Sequence, residues 1–150
     1  MNLKAKDIAY VGLQLTLFLS FLLDISLLNF RLPVWIDYLL LPLIFLGAGV
    51  VIIALLQLKT NLSIFPSPLN GSQLITHGLF KYIRHPIYSG ILLTAFSLAF
   101  YLGSGYKLLI AFLLLILFYF KSSYEEKLLL QKFPEYRDYM KRSGRFWPGG

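Results

Sequence analysis

Residues 76–90 read THGLFKYIRHPIYSG, a polar stretch between a loop and a long apolar run. Pro86 lacks an N–H and disfavours helical backbone at the residue before it, so this stretch predicts a helix that begins at or just after Pro86. Arg84 and His85 then lie at the N-terminus of that helix, and Tyr88 lies in its first turn. Because a helix N-terminus carries free N–H groups and a partial positive charge, the stretch favours binding of an anion such as a carboxylate or phosphate.

The composition around this stretch is that of an integral membrane protein. Of the 150 residues, 57% are hydrophobic and 14% are charged, and the mean hydropathy is +0.68, whereas a soluble domain is about 25% charged. The length fits a single domain, residues 1–150. With no Cys and two His, disulfides, iron–sulfur clusters and thiolate zinc sites are excluded, and no metal site is predicted. The net charge is +7, but the sequence has no basic run with interleaved aromatic residues of the kind that binds single-stranded nucleic acid. No nucleic-acid partner is therefore expected.

Hydropathy predicts an all-α fold with about four transmembrane helices. The first two spans are residues 8–30 and 36–58, each long enough to cross a bilayer at about 1.5 Å per residue. Two shorter spans follow, 86–102 and 106–120, both near the lower limit of length. Residues 121–150 combine many charged side chains with an apolar side. They predict an extension of the fourth helix and then an amphipathic helix on the cytoplasmic membrane surface.

The distribution of basic residues predicts the orientation in the membrane. All but two of the 14 Lys and Arg fall on the side that holds both termini, the exceptions being Arg31 and Lys107. The positive-inside rule therefore places the N- and C-termini in the cytoplasm. The polar loop 59–76, with its prolines and an Asn-Gly pair, lies on the same side and is long enough to act as a lid or binding loop.

This topology brings two polar clusters together. Arg84 and His85 lie at the cytoplasmic start of the third helix, and Glu125 and Glu126 lie at the cytoplasmic end of the fourth. An anion site beside a pair of carboxylates suits a zwitterionic ligand. In the alternative interpretation the basic residues only mark the membrane edge and the glutamates are solvated. The joint occurrence of the two clusters favours a site.

Three elements follow residue 60 in a fixed order. They are Gly78-x-Phe80-x-Tyr82-x-Arg84-His85-Pro86-x-Tyr88-x-Gly90, then Glu125-Glu126, then Phe133-x-Glu135-Tyr136-x-x-Tyr139. Together they resemble the isoprenylcysteine carboxyl methyltransferase and phospholipid methyltransferase superfamily of integral membrane enzymes. The resemblance implies a cofactor-binding core at about residues 60–150, preceded by two generic spans.

The resemblance also implies an activity. Such enzymes transfer a methyl group from S-adenosylmethionine to a lipid-like or small hydrophobic acceptor, for example an isoprenylcysteine carboxylate, which enters laterally from the membrane lipids. It makes Arg84 the catalytic candidate, orienting a carboxylate of the acceptor or cofactor. It assigns cofactor binding to Gly78, Tyr82, His85, Pro86, Tyr88, Gly90, Glu125 and Glu126.

Two other functions stay open at this point. A lipid reductase on a similar helical frame would need a nicotinamide cofactor, and the sequence has no Gly-rich phosphate loop. A non-enzymatic membrane interaction module would tolerate substitution of Arg84, His85 and Glu126. The sequence leaves open the methyl acceptor, the use of a general base and the oligomeric state. The brevity of the chain suggests a prokaryotic protein of the cell membrane, by analogy alone.

Overall fold

The computed structural model describes residues 5–58, 63, 65–68 and 71–149, so part of the predicted loop 59–76 lies outside the described residues. The helices are α1 (Ala5–Leu22), α2 (Val34–Leu58), a 3-10 helix (Gly78–Lys81), α3 (Pro86–Tyr101), α4 (Gly105–Lys132) and α5 (Tyr136–Arg142). The described residues form no β-strand, and their one extended pairing is a bridge between Ile83 and Gly144. The all-α prediction is confirmed, and α3 begins at Pro86 as the sequence predicted.

Three of the described helices are long and apolar enough to cross a membrane, namely α1, α2 and α4. Helix α2 matches the predicted span 36–58 closely and continues through Pro42. Helix α3 is also apolar but has 16 residues, which gives it a length of about 24 Å. That is shorter than the hydrocarbon core of about 30 Å. The chain is therefore a helical membrane protein with three candidate spans, and the fourth span stays a prediction.

The first helix is shorter than the sequence predicts. The apolar run predicts a span over 8–30, but α1 ends at Leu22. At that end Lys107 of α4 donates its Nζ to the carbonyls of Phe21, at 2.7 Å, and Leu23, at 3.0 Å. The last carbonyls of a helix lack partners within it and carry a partial negative charge, so the ammonium stabilises this end.

The segment that follows α1 makes its backbone hydrogen bonds with the turn between α3 and α4. The N–H of Phe30 donates to the carbonyl of Gly103 at 2.9 Å, and the N–H of Tyr106 donates to the carbonyl of Leu27 at 3.1 Å. Asp24 lies in this segment, exposed and outside the helix. The long-range pairing explains why hydropathy alone set the end of the first helix too late.

The four long helices pack in sequence, α2 on α3, α3 on α4, and α4 on α1, and α4 also contacts α5. Side chains of α1, α3 and α4 form the buried apolar core, which consists of Leu17, Leu92, Ala95, Ile110, Ala111, Leu114, Leu117 and Phe118. Because a short turn joins α3 to α4, the two helices are antiparallel. The N-terminus of α3 therefore lies beside the C-terminal part of α4.

Two glycines allow α2 and α3 to approach closely. A Cβ atom at Gly90 would lie 2.6 Å from the carbonyl oxygen of Gly47 and 2.7 Å from Cγ2 of Val51. Such distances are far below van der Waals contact, and one of the atoms belongs to the backbone. Small residues at a helix crossing are a common means of close packing in membranes.

Substitution of Gly90 by alanine should lower stability, because the added methyl group must push α2 away from α3. Overpacking of this kind costs about 1–3 kcal/mol. The matched control is Gly49→Ala on α2, where an added Cβ meets nothing within 4 Å. Thermal unfolding of the two variants in detergent, followed by circular dichroism, checks this. Equal melting temperatures for both variants would contradict the packing role of Gly90.

Candidate functional site

The segment around Arg84 and His85 is fixed by the C-terminal tail. The N–H of Arg84 donates to the carbonyl of Gly144 at 2.8 Å, and the N–H of His85 donates to the carbonyl of Arg145 at 3.1 Å. In return the N–H of Gly144 donates to the carbonyl of Tyr82 at 3.0 Å. This parallel pairing holds the backbone extended just before α3 begins, and it brings the tail to the mouth of that helix.

Glu126 of α4 is the centre of the polar cluster. Its Oε1 accepts a hydrogen bond from Nε of Arg84 at 2.7 Å and lies 3.3 Å from Nε2 of His85. Its Oε2 accepts from Nη2 of Arg145 at 2.7 Å. The side chains of Glu126 and Arg84 are only 4% and 9% exposed. A buried carboxylate of this kind is stable only when cations and hydrogen bonds compensate its charge, as they do here.

Arg84 also caps helix α5. Its Nη1 donates to the carbonyl of Met140 at 3.1 Å and to the carbonyl of Ser143. These carbonyls lie at the C-terminal end of α5, where a cation interacts favourably with the helix dipole. One guanidinium therefore joins the start of α3, the carboxylate of α4 and the end of α5.

Glu125 differs sharply from its neighbour. Its Oε2 accepts a hydrogen bond from the Tyr88 hydroxyl at 3.1 Å and lies 3.7 Å from Nδ1 of His85. Its side chain is 27% exposed, against 4% for Glu126. The two ring nitrogens of His85 thus face two different carboxylates, of which one is buried and the other is partly open.

Aromatic rings wall the cluster on the side of α3. Tyr88 stacks on Phe118 with centroids 4.5 Å apart and on His85 with centroids 5.4 Å apart. Phe146 of the tail meets the His85 ring edge-on at 6.2 Å. Stacked and edge-on arrangements of this geometry are favourable. They fix the plane of the imidazole and leave little freedom for its side chain.

Two buried tyrosines of α5 support the same region. The hydroxyl of Tyr139 donates to the carbonyl of Phe80 in the 3-10 helix. Burial raises the pKa of Tyr139 to about 12, so this hydroxyl stays protonated and remains a donor at neutral pH. Burial likewise raises the pKa of Tyr136. Both groups act as neutral packing residues that attach α5 to the site.

Two cavities meet at this cluster. The first, here called the loop cavity, measures about 120 Å³ and lies between the described loop residues, the 3-10 helix, the end of α4 and α5. The second, here called the helix cavity, measures about 170 Å³ and lies among α1, α2, α3 and α4. The two share one wall, formed by Leu58, Ser63, Phe80, Arg84, His85 and Glu125.

Loop residue Ser67 is anchored to α1, because its hydroxyl donates to Oδ2 of buried Asp7 at 2.7 Å.

The structure brings together most of the residues that the sequence singled out. Arg84, His85 and Glu125 line both cavities. Pro86 and Tyr88 line the helix cavity. Glu126 lies directly behind this wall, where its carboxylate contacts Arg84 and His85.

Three of the predicted cofactor-binding residues lie elsewhere among the described residues. Gly78 has a φ of 61°, which favours glycine, and the next N–H donates to Oε1 of Gln57 at 2.9 Å. Tyr82 is 56% exposed and lines a separate surface pocket. Gly90 packs against Gly47 in the crossing of α2 and α3. Gly78 and Gly90 thus have structural roles, Tyr82 has an exposed side chain, and cofactor contact by all three stays a prediction.

Two residues of the site were missed by sequence reasoning. Arg145 binds Glu126, and its Nη1 also donates to Ser123 Oγ at 2.8 Å. The carbonyl of Phe146 accepts from Ser89 Oγ at 2.7 Å. The only sequence signal was the general basic character of residues 137–145. The sequence does not distinguish Arg145 from the other basic residues of this segment, because the role of Arg145 depends on the tail folding back to α3.

Replacing Glu126 with leucine should destabilise the protein strongly. The change leaves the buried guanidinium of Arg84 without its carboxylate, and breaking a buried ion pair in this way costs about 3–5 kcal/mol. The double variant Glu126→Leu/Arg84→Met should recover part of the loss because it removes the stranded charge. Asp138→Asn is the control, since the Asp138–Lys141 pair is exposed and should contribute nothing measurable. Melting temperatures in detergent measure all three, and a Glu126→Leu variant as stable as Asp138→Asn would contradict the role of the pair.

Comparison with known proteins gives the family. No curated protein matches the chain at significant similarity. Residues 37–136 match the family model described as phospholipid methyltransferase. This region covers most of α2, all of α3 and α4, and the residues Arg84, His85, Glu125 and Glu126. The match extends over more than half of the chain and confirms the resemblance that the motifs predicted. This chain therefore belongs to the phospholipid methyltransferase family, within the superfamily of membrane methyltransferases.

Proposed function

We propose that this protein is an S-adenosylmethionine-dependent methyltransferase that acts on a lipid-like acceptor in the membrane. One observation carries the proposal: the loop cavity and the helix cavity share a wall that holds Arg84, His85 and Glu125. A transferase needs two binding spaces that meet at one point, because the two reacting groups must be aligned in contact. In this proposal the shared wall is that point.

The residues of the loop cavity suit the methyl donor. S-adenosylmethionine carries a carboxylate, an ammonium group, a sulfonium and an adenine ring. Arg84 and His85 can donate hydrogen bonds to the carboxylate of the cofactor, and the carboxylate of Glu125 can accept one from its ammonium group. Phe80 and Phe133, which also line this cavity, offer aromatic faces for a cation or the base. The chemistry of the donor set therefore fits the cofactor.

The helix cavity suits an apolar acceptor. Leu55 and Ile87 line it with apolar side chains, and Leu55 is 37% exposed on a helix long enough to cross the membrane. An acceptor that dissolves in the bilayer would reach this cavity laterally, so membrane lipids are the expected partners. If both termini lie in the cytoplasm, as the positive-inside rule predicts, the loop cavity faces the cytosol, and the water-soluble cofactor would enter from there.

When bound, S-adenosylmethionine supplies a methyl group on a sulfonium, which is an excellent leaving group. The protein then has mainly to align the acceptor and exclude water. Arg84 is held by Glu126 and by two backbone carbonyls, so its position is fixed before any ligand binds. A carboxylate acceptor needs no base. An amine acceptor must lose a proton, and His85 or a glutamate of the cluster would have to accept it.

Binding of S-adenosylhomocysteine to the full-length protein in detergent, measured by calorimetry, tests the cofactor assignment. Glu125→Gln should weaken binding at least about tenfold, because it removes a charge-assisted hydrogen bond from the cavity wall. Glu135→Gln is the matched control, since Glu135 is exposed and lies outside both cavities. No saturable binding by the folded wild-type protein would overturn the proposed function, and unchanged affinity in Glu125→Gln would overturn the role of this residue.

A further inference from the structure

Helices α1 and α4 leave a groove between them that shares no lining residue with the loop cavity or the helix cavity. The groove has two parts of about 390 Å³ each, which meet at Tyr10, Leu13 and Phe120. The first, here called the apolar part, is lined further by Leu17, Leu113, Ile116 and Leu117. The second, here called the basic part, is lined further by Lys6, Ala9, Ser123, Tyr124 and Lys127.

The apolar part by itself does not mark a binding site. Leu13, Ile116 and Phe120 are each more than half exposed, but any helix that crosses a membrane exposes apolar side chains to lipid. What distinguishes this surface is its concave shape and its direct continuation into the basic part. A ligand that follows the groove therefore meets an apolar surface first and cations at one end.

Two lysines from different helices line the basic part. Lys6 of α1 and Lys127 of α4 are both exposed. The Nζ of Lys6 lies 5.9 Å from the centroid of the Tyr124 ring, which stacks on Tyr10 with centroids 5.7 Å apart. Because Tyr10 lies about one turn after Lys6 and Tyr124 about one turn before Lys127, the stacked rings join α1 to α4 next to the two ammonium groups.

The neighbouring acids point to other partners. Among the described residues, no carboxylate lines either part of the groove. Asp7 is fully buried and accepts a hydrogen bond from Ser67, and Glu126 is buried against Arg84 and Arg145. The basic part therefore presents two cations to whatever lies in the groove, and its charge favours a ligand with a negative head.

The length of the groove fits one leaflet of a bilayer. From Lys6 to Leu17 helix α1 rises about 16 Å, and half of the hydrocarbon core is about 15 Å. The lysines then lie at the level of the lipid headgroups, and the apolar part lies beside the acyl chains. The positive-inside rule predicts that this is the cytoplasmic leaflet, which carries the anionic lipids.

We propose that the groove between α1 and α4 binds one anionic phospholipid, whose phosphate contacts Lys6 and Lys127 and one of whose acyl chains lies in the apolar part. This lipid is a bound partner and not the methyl acceptor, because the groove is separate from both cavities. The inference does not rest on the proposed function. Its structural consequence is that the lipid helps to hold α1, which packs mainly on α4.

The test compares two phospholipids with identical chains by native mass spectrometry. The full-length protein in neutral detergent is mixed with equal amounts of dioleoyl phosphatidylglycerol and dioleoyl phosphatidylcholine, and the lipid retained on the protein is counted. The wild type should retain one phosphatidylglycerol about tenfold more often than one phosphatidylcholine, because two lysines near the surface favour a net negative headgroup. Equal retention of the two lipids would overturn the proposal.

The contribution of the lysines is separated from that of general basic charge by two double variants. Lys6→Gln/Lys127→Gln should bring the ratio of the two retained lipids close to one. Lys81→Gln/Arg137→Gln is the matched control, since it removes two exposed basic residues of the same predicted side that lie outside the groove, and it should keep the wild-type ratio. An equal fall in both double variants would show that the basic surface as a whole attracts the lipid and would contradict a site in the groove.

A third variant tests the place of the acyl chain. Ile116→Trp fills the apolar part and should lower retention of phosphatidylglycerol about tenfold, because the chain loses its packing surface. Leu109→Trp is the control, since Leu109 is exposed on the same helix but outside the groove. Unchanged retention in Ile116→Trp would contradict the proposal. A lipid-free dimer in the wild-type spectrum that Ile116→Trp converts to monomer would overturn it in favour of a second copy of the chain.

Discussion

The carboxylate of Glu126 joins three segments that are far apart in the sequence. It binds Arg84 just before α3 and Arg145 in the C-terminal tail, and it lies beside His85. Because burial makes an unpaired charge costly, none of these groups can leave without destabilising the others. The position of the tail, the end of α5 and the mouth of α3 all depend on this one cluster. An ion pair of this kind is a source of fixed geometry rather than of large net stability.

The two adjacent glutamates divide two tasks between them. Successive residues of an α-helix point about 100° apart, so Glu126 faces the bundle while Glu125 faces the cavities. The first positions Arg84 and His85, and the second is open to a ligand. The aromatic stack of His85, Tyr88 and Phe118 limits motion of the imidazole between them. A site with fixed charges needs little rearrangement when it binds a charged ligand.

The sequence contained enough information to predict much of the fold. The start of α3 follows from the backbone of Pro86, and α2 follows from continuous hydropathy. The meeting of Arg84 and His85 with Glu125 and Glu126 follows from the short turn between α3 and α4, which makes the two helices antiparallel neighbours. These predictions depend on local rules or on topology, which a single sequence records.

Other features depend on contacts between distant residues, and the sequence could not reveal them. The end of α1 at Leu22 depends on Lys107, which binds the helix from another element. The place of Arg145 depends on the return of the tail. Gly90 was predicted from its place in the motif to bind the cofactor, and only the neighbouring Gly47 reveals that it also lies at a helix crossing.

The most direct test of the account is methyl transfer itself. The purified protein in detergent is mixed with a membrane lipid extract and S-adenosylmethionine that carries a tritiated methyl group, and radioactivity is counted in the organic phase. We expect time-dependent label in extracted lipid with the wild type and, at a cofactor concentration below saturation, labelling at least about tenfold slower with Glu125→Gln. Label confined to the aqueous phase, from a wild-type protein that is folded and binds S-adenosylhomocysteine, would contradict the account.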